Sequence, residues 1–148
     1  MSGRRMESLI AAGAMLLGAL TLFGCSKYDT PKSDGGNIKI QTATLADGGA
    51  RFYKYVDNDK EIRYFVVKTL DGGYKAAFDA CDSCYRDKKG YEQQGGVMNC
   101  KNCNQKFPID RLGPNATGGC NPGYLPVSVQ GDMISISEST LKDGAKYF

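Results

Sequence analysis

Histidine is absent from all 148 residues of this chain. Its absence removes mixed Cys/His zinc sites, c-type haem attachment and any acid–base or nucleophilic catalysis built on imidazole. Paired carboxylates, a phosphate-cradling loop and a nucleophile constellation are missing too, so nothing speaks for a hydrolase. Beyond the leader, no stretch carries a helical period. The net charge is only +3, with lysine and arginine interspersed among acids, which leaves no nucleic-acid footprint. An electron carrier or a binding module fits these absences better than an enzyme does.

What the chain does have is cysteine. Cys81 and Cys84 form one Cys-x-x-Cys pair, Cys100 and Cys103 a second, with residues 85–99 between them. Two such pairs read as a four-thiolate metal or cluster site, each pair gripping from a tight knuckle whose backbone N–H groups point at the sulfurs. Arg86, Lys88, Lys89, Lys101, Lys106 and Arg111 lie near the pairs in sequence. They would offset the net negative charge of a four-thiolate site, or simply solvate loops. Cys120, inside Gly118-Gly119-Cys120-Asn121-Pro122-Gly123, reads as an additional ligand, a redox thiol or a small buried residue. Two disulfides are the rival arrangement, but five thiols would strand one, and adjacent-knuckle bridges close loops too short to constrain much. A catalytic dithiol would need a helix N-terminus in a βαβ setting, which neither pair has.

The N-terminus bears on compartment. Arg4 and Arg5 precede an apolar run, Leu9 to Phe23, and then Gly24-Cys25-Ser26. Residues 1–24 are expected to be a lipoprotein-type signal peptide, cut ahead of Cys25, whose thiol carries the lipid. The run is short for a membrane span of about 20 residues. Ser26 rather than Asp after Cys25 favours the outer membrane, so the expected location is the bacterial cell envelope, anchored and facing the periplasm or outside. Gly3-Arg4-Arg5-Met6 holds a twin-arginine pair, a weak signal for folded export because Glu7 falls where an apolar residue is expected, and two ordinary leader cations are the better reading.

Residues 25–36 are polar and broken by Pro31 and Gly35-Gly36, and read as a flexible tether. From Asn37 onward short strands and turns dominate. Strands are expected at Ile38–Ile40, Arg51–Val56, Ile62–Thr69, Tyr74–Asp79, Val97–Cys100, Lys106–Asp110, Leu125–Val129 and Met133–Ile136, with tight turns at Asp71-Gly72-Gly73 and Gly131-Asp132. The expected fold is an all-β domain over residues 37–148, a small β-sandwich or barrel with two cysteine knuckle loops and at most one short helix.

The order from Arg63 to Asp110, hairpin, cysteine loop, spacer and second cysteine loop, resembles a Rieske-type domain, in which two loops clamp a [2Fe–2S] centre. There the ligands run Cys-x-His and Cys-x-x-His; here Cys84 and Cys103 stand at the histidine positions and the first pair is one residue wider. The segment FDACDSCYRDKKGYEQQGGVMNCKNCNQKFPI with the later GGCNPGYLP is similar to the FtrD-like family of membrane-associated iron–sulfur proteins, over about residues 50–126. That resemblance implies an iron–sulfur cluster, electron transfer associated with iron transport, and a redox or iron-permease protein as partner. Many relatives are polytopic; this chain resembles the extramembrane module alone, held to the membrane by a lipid.

Two readings follow. In the first, Cys81, Cys84, Cys100 and Cys103 hold an iron–sulfur cluster, with a low potential of about −400 mV for all-thiolate ligation. In the second, the same thiolates hold structural Zn²⁺ in a binding module that acts in metal handling or protein interaction. Cu(I) with Met98 or Met133 nearby is a subsidiary possibility, although methionines more often fill cores.

Overall fold

A computed structural model describes residues 26–148, Thr117 excepted. Cys25 and the leader lie outside the described residues. The elements are β1 (Ser33–Asp34), β2 (Asn37–Gln41), β3 (Arg51–Asp57), β4 (Lys60–Lys68), β5 (Tyr74–Phe78), β6 (Tyr91–Gln94), β7 (Val97–Cys100), β8 (Lys106–Pro108), β9 (Tyr124–Leu125), β10 (Ser128–Gln130), β11 (Met133–Ser137) and one six-residue helix, α1 (Glu138–Asp143). Short 3-10 turns separate several of them. The domain is all-β, with antiparallel sheets ordered β1-β2-β11-β10, β3-β4-β5-β9 and β6-β7-β8.

The middle sheet is the organising layer, because its central strands are buried on both faces. In β4 the run Ile62 to Val67 is apolar apart from Arg63, and its side chains alternate between two cores. Ile62, Tyr64 and Val66, with Ala76 and Phe78 of β5, face Ile38, Ile40, Ile134 and Ile136 of the first sheet. Phe65, Val67 and Ala77 face the other way, against Tyr91, Met98, Ile109 and Leu112. That second core also contains Cys81, Cys100 and Cys120. Phe65 is fully buried there, 5.8 Å from the Phe52 ring centroid and 6.1 Å from that of Tyr91. Phe65→Ala is expected to cost about 3–5 kcal/mol of stability, read from denaturant unfolding, with the loss falling on the core that backs the cysteines.

The turns form where turn chemistry permits. Gly72 takes φ +89° in the β4–β5 hairpin, where the Asp71 carboxylate accepts the Gly73 N–H at 3.1 Å. Gly131 takes φ +60° between β10 and β11, whose register runs Gln130 opposite Met133. Asn58 and Asp59, both at positive φ, close β3 onto β4. Two expected elements differ. The single strand Leu125–Val129 is split: Tyr124–Leu125 pairs with β5 and Ser128–Gln130 with β11. Pro126 has no N–H to offer a ladder, so the chain changes sheets there. Lys106–Asp110 ends as a strand at Pro108 and turns into a 3-10 segment, Ile109–Arg111.

The segment read as a flexible tether also differs over its described part. Asp29 pairs with β3, its N–H donating to the Phe52 carbonyl at 3.0 Å and its carbonyl accepting from Lys54 N–H at 2.9 Å. Ser33–Asp34 adds the short strand β1 to the edge of β2. The unpaired edges of β2 and β3 supply the partners that a polar composition alone does not reveal.

Candidate metal site

Three loops converge on the outer side of the second core. The first leaves β5 and carries Cys81 and Cys84 through a tight turn. Cys84 N–H donates to Cys81 Sγ at 3.1 Å, and Tyr85 N–H donates to the Cys81 carbonyl at 3.1 Å. This is the knuckle geometry expected of a thiolate ligand pair, an N–H aimed at the sulfur it stabilises. The second loop begins at Cys100, the last residue of β7. Its N–H donates to the Gln105 carbonyl at 2.9 Å, and Asn104, at φ +59°, returns its N–H to the Cys100 carbonyl at 2.8 Å. Asn102 Nδ2 donates to Asp87 Oδ2 at 2.8 Å and links the two loops.

The third loop brings in Cys120. Gly118 and Gly119 both take positive φ, +81° and +59°, a pair of left-handed steps that side chains resist. Gly123 N–H then donates to the Ala80 carbonyl and Phe78 N–H to the Gly123 carbonyl, which docks this loop beside the first. As a result Cys120 Sγ lies 3.4 Å from Cys84 Sγ.

The sulfurs of Cys81, Cys84, Cys100 and Cys120 all lie within 4.8 Å of one another. Cys103, predicted from sequence as the fourth ligand, is exposed and stands outside that set, though near enough for Cys120, Cys100 and Cys84 to act on its proton. All five thiols are free of disulfides. None of the six basic residues noted around the pairs makes an ion pair among the described residues. Lys88, together with Arg63, lines the small cleft beside Cys81, Cys84 and Cys100.

Proton affinities within the cup are uneven. Burial pushes the Cys100 thiol up to about 11. Cys103 is lowered to about 7, chiefly by the hydrogen bond from Cys120, whose own proton is held more tightly through that bond and through burial. Cys100 therefore binds its proton more firmly in the folded chain than at the ordinary thiol value of 9.0. Its contribution to stability is intact below about pH 9 and is lost as pH rises through about 11. The reduced, metal-free protein should accordingly show a falling denaturation midpoint across that alkaline window.

Behind the sulfurs stand residues that sequence reasoning missed. The Tyr91 hydroxyl, fully buried, donates to the Cys120 carbonyl at 2.5 Å and faces the Cys81 thiol. Asp79, whose side chain is completely buried, accepts Tyr91 N–H at 2.6 Å, the Tyr28 hydroxyl at 2.6 Å and Lys27 Nζ at 2.9 Å. Gly90 passes so close that an added Cβ would sit 2.5 Å from Asp79 Oδ2, and its φ is +67° besides. The only sequence signal was position: Asp79 precedes Cys81 by two residues, and Gly90-Tyr91 falls midway between the pairs.

Residues 45–148 match the family described as "Membrane iron-sulfur containing protein FtrD-like". The chain belongs to this FtrD-like family. The search of curated proteins gave no match. Among solved structures, the chain is similar to the quaternary ammonium Rieske monooxygenase CntA, crystallised with an inhibitor, at 14% identity and a TM-score of 0.45. The likeness covers 68% of this chain and 30% of that one, so the chain spans less than a third of that protein's length. No helix among the described residues is long and apolar enough to cross a membrane.

The donors fit the group that the FtrD-like family name implies. They are all sulfur, they include a knuckle with an N–H directed at a thiol, and they are backed by an apolar core that lowers the local dielectric. Cys81, Cys84, Cys100 and either Cys103 or Cys120 would hold it. A single tetrahedral ion suits the sulfur separations as they stand, since Zn–S bonds of about 2.3 Å place sulfurs about 3.8 Å apart.

Proposed function

We propose that this FtrD-like protein is an exported, lipid-anchored iron–sulfur carrier that moves electrons in the service of iron transport. The observation that carries the reading is the convergence of four thiols within 4.8 Å, with the exposed Cys103 as a fifth on the same loops and without a single histidine in the chain. A bound iron–sulfur centre supplies one-electron redox chemistry. The chain's own part is to keep it near the surface, where Cys103 is exposed, and to hold its ligands on three loops docked to a rigid core. The partner in this reading is a redox protein or an iron permease of the same membrane.

The N-terminal segment fits that arrangement in a particular way. Lys27 and Tyr28, which follow Cys25 almost directly, are bonded to Asp79 beneath the cysteine loops. A lipid on Cys25 would thus draw the cysteine-bearing end of the domain toward the bilayer rather than leave it on a slack leash.

The test is iron, zinc and acid-labile sulfide analysis of anaerobically purified protein, with a visible spectrum before and after dithionite. Iron with sulfide and a bleachable band is expected. One zinc per chain with no colour would overturn the reading in favour of a structural four-thiolate module for metal handling or protein interaction, which the close sulfur spacing also suits.

A further inference from the structure

Five thiols meet where four are needed, and the structure distinguishes among them. We infer that the metal ligands are Cys81, Cys84, Cys100 and Cys120, and that Cys103 is a spare thiol guarding the solvent side. This rests on the reading that the cup holds a metal, and it changes the ligand set that the paired spacing suggests.

The first argument is distance. The four sulfurs within 4.8 Å of one another are those of Cys81, Cys84, Cys100 and Cys120, a set that crosses all three loops. The second is burial. Cys81, Cys100 and Cys120 are 1%, 2% and 9% exposed and belong to the core cluster, and Cys84 packs against it, whereas Cys103 is exposed. The apolar shell around a metal site controls solvent access, and a ligand set drawn from the core cluster is enclosed by that shell. The third is the construction of the Cys120 loop. Two consecutive left-handed glycines aim it, Tyr91 fixes its carbonyl, and Gly123 ties it to Ala80 beside Cys81. A cysteine serving only as filler would need none of this positioning. The second knuckle then contributes one ligand rather than two. Cys103 is exposed and stands outside the set of four.

The test is thiol footprinting on the full mature chain, loaded anaerobically either with ferrous iron and sulfide or with zinc alone. Iodoacetamide labelling followed by peptide mass spectrometry should show Cys81, Cys84, Cys100 and Cys120 each slowed at least about tenfold by loading relative to the chelated chain, while Cys103, exposed in either state, keeps its rate. In parallel, Cys103→Ser should retain its metal. Cys120→Ser should lose affinity by more than the 10–100-fold that removal of an outer-sphere partner costs. Because the footprint is taken on the unaltered chain, a Cys120→Ser protein that fails to fold does not blunt the test. Protection of Cys103 with labelling of Cys120, or equal labelling of all five, would overturn the assignment. Zinc without sulfide in purified protein would end the iron–sulfur reading yet leave this footprint to decide the ligands.

Discussion

Cys100→Ser should strip the protein of its metal and, with it, most of the stabilisation the metal provides. Cys100 is common to the ligand set expected from the paired spacing and to the set inferred from the structure, so the outcome does not depend on whether Cys103 or Cys120 completes it. Its sulfur leaves the end of β7, and the residue is 2% exposed and held by two backbone hydrogen bonds. Serine would put a hydroxyl that scarcely ionises where a soft thiolate is needed. The loss in affinity should exceed about a hundredfold, beyond what outer-sphere changes cause. Binding energy at such a site is also folding energy, with apparent values of about 10–16 kcal/mol for structural zinc. Chelation should therefore lower the melting temperature of the wild-type protein sharply and leave that of Cys100→Ser unmoved. Equal metal content in the two proteins would remove Cys100 from the site.

How much of this was legible in the sequence follows from the range of the interactions involved. Turn residues act locally, so Asp71-Gly72-Gly73 and Gly131-Asp132 could be placed from sequence alone. The paired cysteines likewise announce a metal site, because a knuckle is a four-residue object. Cys120 could not be assigned, since nothing local says that its glycine-led loop docks beside Ala80. The tether misled for a related reason. Its polar, proline-broken composition describes an isolated segment, whereas the β2 and β3 edges that capture Ser33 and Asp29 come from elsewhere in the chain. The strand Ile62–Thr69 was expected from its apolar, β-branched run, but that it is buried on both faces, and which face backs the cysteines, depends on β6 and β7 folding over Phe65 and Val67.

The second large effect is expected at a residue that touches no metal. Asp79 is buried with three donors from two distant segments converging on its two oxygens: Tyr91 N–H on one, the Tyr28 hydroxyl and Lys27 ammonium on the other. Asp79→Ala would leave the buried Tyr91 N–H and the Tyr28 hydroxyl without their acceptor, and would leave the Lys27 ammonium with only the Tyr91 carbonyl, at 3.1 Å. Unsatisfied buried groups cost about 1–3 kcal/mol each, and a fully buried ion pair broken on one side costs about 3–5. Lys27 keeps 36% of its side chain in solvent and can turn outward, so the sum should settle at about 2–4 kcal/mol. The damage should then travel along one bonded path. Tyr91 loses the anchor of its N–H, its hydroxyl loosens on the Cys120 carbonyl, and the third loop drifts from Cys84. Metal affinity should fall about 10–100-fold, in the range of other residues that orient a ligand without being one. Asp79→Asn, which keeps an acceptor for Tyr91 N–H but drops the charge that Lys27 meets, should recover most of the affinity and only part of the stability. That split separates positioning from bulk destabilisation, because a purely structural aspartate would give losses of affinity that track stability in both variants.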